Sequence, residues 1–144
     1  MSTNEIRVER RIEAPPAAVY AYLTDGDLWA RWQGTSAEIE PVAGGLFRMA
    51  MSNGSVAEGR FVELVPHVRV VFTWGWRGSA TVPPGSSTVE IELGQDGEGT
   101  LLRLVHRDLP SEDQPIHRAG WDHYLPRLAT AAGGGDPGPD PAPG

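Results

Sequence analysis

Two segments decide the fold, GTLLRLVHRDLP at residues 99–110 and IHRAGWDHYLPRLA at residues 116–129. In the first, strict alternation puts Leu102, Leu104 and His106 on one face of a predicted strand. In the second, the spacing predicts a helix whose inward stripe consists of His117, Trp121, Tyr124, Leu125 and Leu128. A sheet face that carries a histidine, covered by a helix that carries large amphipathic aromatic side chains, predicts a cavity with a few polar groups.

The residues before these segments predict two short helices and then an antiparallel sheet. A strand over residues 6–12 ends at Ala14-Pro15-Pro16, which starts the first helix, and Asp25 is the predicted cap of the second. Asn53-Gly54 is the strongest signal for a tight hairpin turn, and a loop rich in Gly, Pro and Ser occupies residues 78–87. Five more strands are predicted near residues 37–40, 47–51, 56–65, 68–76 and 89–93.

These elements give an α+β chain, in which a curved antiparallel sheet of about six to seven strands wraps around one long C-terminal helix. We expect one domain over residues 5–131, because 144 residues leave no room for a second core. Residues 132–144 have almost nothing apolar to bury and are predicted to form a disordered tail. Pro126 interrupts the closing helix, so we expect a kink there that alters the cavity mouth.

Composition excludes several classes of chemistry and of partner. The chain has no cysteine, which removes disulfides, thiolate nucleophiles and thiolate metal sites. All twelve basic residues are arginine, so a Schiff-base lysine is excluded as well. The net charge of -7 argues against a nucleic-acid partner. The polar N-terminus and the lack of a long apolar run indicate no leader and no membrane contact, and they predict a cytoplasmic location.

A family resemblance rests on seven segments that follow one another in order. They are RRIEAP (10–15), the helix at 24–32, AGGLF (43–47), the strand at 59–66, VVFTW (70–74), the strand at 99–106, and the helix at 117–128 with its Gly120-Trp121 pair. This pattern resembles the START and polyketide-cyclase (SRPBCC) superfamily, which has the helix-grip fold. More narrowly, it resembles the bacterial single-domain branch named after the C-terminal domain of the activator of the heat-shock-protein-90 ATPase.

The resemblance implies an apolar cavity between the concave sheet and the long helix. Some members of the superfamily bind lipids or aromatic polyketides, and some cyclise or dehydrate such compounds. The eukaryotic namesake instead stimulates the ATPase of a chaperone. A hollow interior would favour ligand binding in this chain, whereas a filled interior would favour a protein partner.

Inward-facing aromatic and apolar residues of the sheet and the helix are the predicted ligand-binding set: Trp32, Phe47, Met49, Met51, Phe72, Trp74, Trp76, Leu104, His106, His117, Trp121 and Tyr124. If the chain is catalytic, His106 is the first candidate for the acid-base group and Tyr124 the second. The alternative for His106 is a structural role with satisfied hydrogen bonds, and the alternative for the tryptophans is plain core filling. Arg10 lies on the inward side of its strand, where a structural ion pair is favoured over contact with an acidic ligand.

We therefore predict a domain that binds a hydrophobic, aromatic or polyketide-like small molecule, as a monomer or homodimer, without a metal or cofactor. No zinc-protease motif is present, and a metal site built from His106, Asp108, His117 and His123 is conceivable but not favoured. Two alternatives stay open. One is a protein-interaction module that acts on a chaperone or a regulator, and the other is a cyclase-like or dehydratase-like enzyme that uses His106.

Overall fold

The structure, a computed structural model, describes residues 5–139. Its elements in chain order are β1 (Glu5–Ile12), α1 (Pro16–Tyr22), α2 (Gly26–Trp29), β2 (Ser36–Ile39), β3 (Leu46–Ala50), β4 (Val56–Val65), β5 (Arg69–Trp74), β6 (Ser87–Asp96), β7 (Gly99–Arg107) and α3 (Gln114–Ala132), with a 3-10 turn at Ser111–Asp113 before α3. The predicted α+β class and the predicted order of elements are confirmed. Within the described residues there is no helix with the length and apolar character needed to cross a membrane.

The seven strands form one antiparallel sheet in the order β1-β7-β6-β5-β4-β3-β2. The first strand therefore pairs with the last, where Val8 lies opposite Leu104 and Ile6 lies opposite His106. The register between β4 and β5 shifts between Phe61 and Glu63. Such an irregularity strengthens the local twist, which helps the sheet to curl around α3.

The concave face of the sheet and the inward stripe of α3 together form the core. Leu102, Leu104 and His106 are at most 1% exposed, as the alternation in their strand predicts. The five residues of the predicted helical stripe are all buried as well. Asp25 caps α2, because its Oδ1 accepts a hydrogen bond from the backbone N–H of Leu28 at 3.1 Å.

Aromatic side chains fill one end of the space under the sheet. The ring of Phe47 stacks on Phe72 with centroids 4.6 Å apart, and Trp29 packs edge-on against Phe47 at 5.0 Å. Trp32 lies beside Trp29 with centroids 4.9 Å apart. All four side chains are fully buried. This end of the concave space is thus a closed aromatic core, and any cavity must lie toward the other end of the sheet.

Pro126 does not end α3, which runs on to Ala132. The proline is exposed, so its ring lies on the solvent side of the helix. It removes the hydrogen bond to the carbonyl of Asp122, while the carboxylate of Asp122 accepts from Arg10 Nη2 at 3.2 Å. The prediction that Arg10 forms a structural ion pair is consistent with this contact.

Two loops differ from their predictions in length. Asn53-Gly54 lies in a five-residue connection between β3 and β4, closed by a bond from Met51 N–H to the carbonyl of Ser55. A two-residue hairpin turn of type I′ needs positive φ at both central residues, and only Gly54 has it among the residues of this loop. The predicted loop at 78–87 ends one residue early, because Ser87 is the first residue of β6.

The end of the described chain runs beside α3. The guanidinium of Arg127 donates to the carbonyls of Trp32, Pro137 and Gly138 at 3.0, 3.0 and 2.7 Å. The predicted domain boundary at residue 131 falls inside α3, which ends one residue later. The disorder predicted for residues 132–144 stays a prediction, and residues 140–144 lie outside the described residues.

Candidate functional site

A cavity of about 220 Å³ lies between the first half of α3, the end of β5 and the β3–β4 loop. An engineered cavity of about 150 Å³ holds benzene, so this one accommodates a somewhat larger body. Exposed residues of the β3–β4 loop and Ile116 of α3 lie at its mouth. The lining residues are Gln33, Met51, Asn53, Ser55, Trp74, Trp76, Ile116, His117, Gly120, Trp121 and Tyr124.

Three tryptophans form an aromatic wall. Trp74 packs edge-on against Trp76 with ring centroids 5.3 Å apart, and tilted against Trp121 at 5.7 Å. Alternation along β5 brings Trp74 inward, and Trp121 comes from the buried stripe of α3. Aromatic faces and edges at these separations bind a flat apolar body through dispersion and quadrupole contacts.

A glycine is required at position 75, between Trp74 at the end of β5 and Trp76 in the loop that follows. A Cβ at this position would lie 1.8 Å from the carbonyl oxygen of Pro83, so no other residue fits without a shift of the backbone. The close approach lets Trp76 N–H donate to Val82 O at 2.7 Å and lets Trp76 bridge to Ala57. The loop after β5 is thereby folded back, and Trp76 is held at the cavity.

His106 lies behind the aromatic wall and not in it. Its Nδ1 accepts a hydrogen bond from Trp121 Nε1 at 3.0 Å, and because indole N–H is only a donor, the ring proton must be on Nε2. That Nε2 lies 2.9 Å from the hydroxyl of Ser87, which donates in turn to the carbonyl of Trp74 at 2.7 Å. Burial, with a smaller contribution from His117, lowers the pKa of His106 to about 3. His106 is therefore neutral at physiological pH, with both nitrogens engaged.

His117, which lines the cavity, also accepts a hydrogen bond from a tryptophan N–H and has its second ring nitrogen engaged. Its Nε2 accepts from Trp76 Nε1 at 2.9 Å, so Nδ1 carries the proton and donates to the carbonyl of Asp113 at 2.8 Å. Burial lowers the pKa of His117, and the hydrogen bond to Asp113 opposes that shift. The two imidazoles lie with centroids 5.4 Å apart. Both are neutral acceptors for tryptophan N–H groups.

The structure brings together six of the twelve predicted ligand-binding residues around the cavity: Met51, Trp74, Trp76, His117, Trp121 and Tyr124. Five others lie in the closed aromatic and aliphatic core and do not line it: Trp32, Phe47, Met49, Phe72 and Leu104. His106 supports the wall from behind. Of the two candidates for acid-base catalysis, only Tyr124 therefore faces the cavity.

Two buried polar residues around the site were not predicted from the sequence. Gln33 lines the cavity and is 2% exposed, and Ser87 holds His106. One signal for Gln33 was available, since it follows Trp29 by four residues and so lies one helical turn away. Gly120, whose absent side chain leaves open space, was noted only as part of a family motif.

The cavity lining carries no formal charge, because none of the described residues that form it is Asp, Glu or Arg. No three His, Asp or Glu residues in the described part of the chain lie close enough to hold a metal ion. In the set predicted as a conceivable metal site, His106 and His117 each have both ring nitrogens engaged in hydrogen bonds. The cavity can offer hydrogen bonds and aromatic contacts, which suit an uncharged organic ligand.

Solved structures of similar proteins share this fold. An AHSA1-like protein from Rhizobium etli, solved by NMR, is 50% identical over 99% of this chain and 90% of that chain, with a TM-score of 0.76. DynU16, from the dynemicin biosynthetic locus, is 23% identical over 94% of this chain and 49% of that chain, with a TM-score of 0.78. The Aha1 dimer from Colwellia psychrerythraea is 20% identical over 91% and 98% of the two chains, also with a TM-score of 0.78.

A search of curated proteins gives no match. A family profile described as "Activator of Hsp90 ATPase homolog 1-like protein" matches residues 13–133, which span α1 through α3. This range covers most of the chain and includes every residue that lines the cavity. With its helix-grip sheet, its covering helix and this match, the chain belongs to the AHSA1-like family.

Proposed function

We propose that this protein binds a hydrophobic aromatic small molecule in the cavity between the sheet and the first half of α3. The observation that carries the proposal is the wall of Trp74, Trp76 and Trp121 around about 220 Å³ of space. If these tryptophans had only a structural role, neighbouring side chains would fill the space beside them, because protein interiors are close-packed. A compound with one aromatic ring, or with two fused rings, matches this cavity volume.

The structural similarity to DynU16 supports the same class of ligand. That protein comes from the dynemicin biosynthetic locus, and at 23% identity the likeness concerns the fold. We carry over only the expectation that a helix-grip cavity of this shape suits a polycyclic, polyketide-like compound. No reaction is assigned. Of the two predicted acid-base candidates, Tyr124 is the one that lines the cavity, whereas His106 lies behind the wall with both nitrogens occupied.

A thermal-shift panel of fatty acids, sterols and polycyclic aromatic compounds tests the proposal, with intrinsic tryptophan fluorescence as the second readout. A ligand present at about 100 times its Kd adds about 2.7 kcal/mol of stability. That corresponds to several degrees in a domain of this size. We expect the shift from the aromatic compounds, together with quenching or a spectral shift of the wall tryptophans.

A matched pair of variants on α3 gives the control. A Cβ at Gly120 would meet nothing within 4 Å, so Gly120→Leu places a side chain in the cavity without removing any wall residue. Ala119→Leu adds the same side chain at the neighbouring exposed position. We expect Gly120→Leu to abolish the ligand-induced shift and Ala119→Leu to keep it. An equal response in both variants would contradict the proposed cavity.

A protein-interaction role is the second candidate, favoured by an exposed apolar patch at the β4–β5 hairpin. Val62, Val65 and Val68 are 53%, 39% and 51% exposed there. A chaperone or a regulator is the partner class we would test if no small molecule binds. The cytoplasmic location and the choice between monomer and homodimer also stay predictions, and size-exclusion chromatography with light scattering would decide the second.

A further inference from the structure

Around the cavity, several hydrogen-bond acceptors are already engaged, while some donors make no hydrogen bond. Three tryptophan N–H groups donate to acceptors on the wall or directly behind it, and the pairs are Trp29 with Gln33, Trp76 with His117, and Trp121 with His106. An indole has a donor and no acceptor, so each contact consumes an acceptor without supplying another. In the described part of the chain, the lining is left with donors that make no hydrogen bond, on Gln33 and on Trp74.

Gln33 shows this most clearly. Its Oε1 lies 3.0 Å from Trp29 Nε1, and only the carboxamide oxygen can accept from an indole N–H, so the orientation of the amide is fixed. The amide nitrogen therefore points away from Trp29, on a residue that is 2% exposed and lines the cavity. Among residues 5–139 these two N–H groups make no hydrogen bond, and the nitrogen is not completely buried, so a molecule in the cavity can reach it.

Trp74 provides a second unused donor on the same wall. It is 2% exposed, and its Nε1 has no hydrogen-bond partner in the described part of the chain. The acceptors around it are engaged, since Trp121 donates to His106 and Trp76 donates to His117. A buried donor without an acceptor carries a free-energy cost, because it has lost its hydrogen bond to water. A ligand that brings an acceptor recovers part of that cost.

The lack of charged side chains in the cavity lining restricts the class of ligand further. With no charged side chain among the lining residues, a carboxylate would enter a largely apolar space without a counter-ion, which is costly. The two imidazoles do not supply a positive charge, because each is a neutral acceptor for an indole. An amine would find the acceptor nitrogens of both imidazoles already taken. A neutral oxygen acceptor on an aromatic body satisfies all of these constraints.

We propose that the cavity selects a neutral aromatic compound with a carbonyl oxygen, and that this oxygen accepts a hydrogen bond from the side-chain amide of Gln33. The inference rests on the proposed function and narrows its ligand class. The aromatic body lies against Trp74, Trp76 and Trp121, while the carbonyl points toward Gln33. In this arrangement Gln33 is a ligand-binding residue that determines specificity.

Three naphthalene derivatives of nearly equal size test the proposal by fluorescence or calorimetric titration of the whole chain. 2-Acetylnaphthalene carries the carbonyl, 2-isopropenylnaphthalene replaces its oxygen with a CH₂ group, and 2-naphthoate carries a negative charge. A net hydrogen bond of about 0.5 to 1.5 kcal/mol predicts a Kd for the ketone that is about 2-fold to 10-fold lower than that for the alkene. We expect the naphthoate to bind more weakly than the ketone.

Gln33→Met removes the N–H groups and keeps the length of the side chain. We expect the preference for the ketone over the alkene to disappear in this variant, so that the two Kd values differ by less than about twofold. A direct readout in the wild-type protein is the side-chain amide signal of Gln33 in ¹⁵N-labelled NMR spectra. It should move on addition of the ketone and stay in place with the alkene. This readout decides the question even if Gln33→Met does not fold.

The outcomes separate the inference from the proposed function. Equal affinities for ketone and alkene, or a ketone preference that persists in Gln33→Met, would overturn the role of Gln33 and leave aromatic binding intact. Tighter binding of the naphthoate would overturn the requirement for a neutral ligand. Failure of all three compounds to bind would contradict the cavity itself, and with it both proposals.

Discussion

The indole N–H of Trp121 donates to Nδ1 of His106 at 3.0 Å, and this bond joins α3 to β7 through the buried core. It also determines the chemistry of the histidine. An acceptor at Nδ1 requires the proton at Nε2, and this N–H donates to the hydroxyl oxygen of Ser87, so His106 is a neutral group that positions a cavity wall.

The buried histidines predict that the protein loses stability as the pH falls below about 6.5. Burial lowers the pKa of His106 to about 3 in the folded state, while an unfolded histidine keeps a pKa of about 6.5. The unfolded chain therefore binds more protons between these values. The free energy of unfolding should fall by up to about 1.4 kcal/mol per pH unit for this group, and His117 should add in the same direction.

Urea denaturation at pH 7, 6 and 5 measures this slope. His106→Gln offers an amide in place of the imidazole and does not titrate, so it is the matched control. We expect a smaller slope in the variant, together with lower stability at pH 7. Identical slopes in the two proteins would show that His106 is charged, or accessible to protons, in the folded state.

Truncation of the histidine should be costly for folding and not for ligand affinity. In His106→Ala, the buried N–H of Trp121 loses its acceptor and the hydroxyl of Ser87 keeps only its bond to the carbonyl of Trp74, so we expect a loss of roughly 2 to 4 kcal/mol. Chemical denaturation gives the stability, and titration with an aromatic ligand under folding conditions gives the affinity. A stable variant that no longer binds would assign His106 to the ligand instead.

Two substitutions of Trp121 separate its ring from its N–H group. Trp121→Phe keeps an aromatic ring on the wall and removes the donor to His106, so we expect a loss of about 1 to 3 kcal/mol. Trp121→Ala also removes the buried ring, and the expected loss is roughly 3 to 5 kcal/mol. If both variants lost less than about 1 kcal/mol by urea denaturation, neither the bond nor the packing would be as described.

Filling the open space at Gly120 with one methyl group should stabilise the protein. Glycine is unfavourable inside a helix, and a Cβ at position 120 would contact no other atom. Gly120→Ala should therefore raise the free energy of unfolding by about 1 kcal/mol, which is the difference in helix propensity between glycine and alanine. Thermal denaturation measures it. A loss of stability would mean that the wall closes on this position in solution.

Truncation after Ala132 should leave the core intact. The deleted residues carry two carbonyls that accept from Arg127, and solvent can replace them because this contact is only partly buried. We expect the melting temperature to fall by no more than a few degrees and the tryptophan fluorescence to stay unchanged. Loss of cooperative melting in this variant would extend the domain beyond residue 132.

The inward faces of the fold were predictable because residue spacing alone determines them. Period-two alternation gave His106 its buried position in β7, and 3.6-residue spacing placed Trp121 and Tyr124 on the buried face of α3. The bounds of β4, Val56–Val65, match the prediction as well. These features depend on local patterns of apolar and polar residues, which a single sequence carries.

The division between core and cavity was not predictable in the same way. Phe72 and Trp74 have the same parity in β5, yet one lies in the closed core and the other lines the cavity. That difference depends on how α2 and α3 cover the sheet, which is set by contacts between distant segments. Ser87 was missed because it follows a Gly and Pro-rich loop, and Gln33 because its role depends on a bond to Trp29.

The most direct test of the account is a ¹⁵N-labelled NMR titration of the full chain with 2-acetylnaphthalene, repeated with Gly120→Leu. We predict saturable shifts concentrated at the backbone amides of His117, Gly120 and Trp121 and at the indole signals of Trp74 and Trp76, with little change in the variant. Saturable shifts that appear instead around the exposed valines of the β4–β5 hairpin, or that persist unchanged in Gly120→Leu, would contradict a ligand cavity under α3.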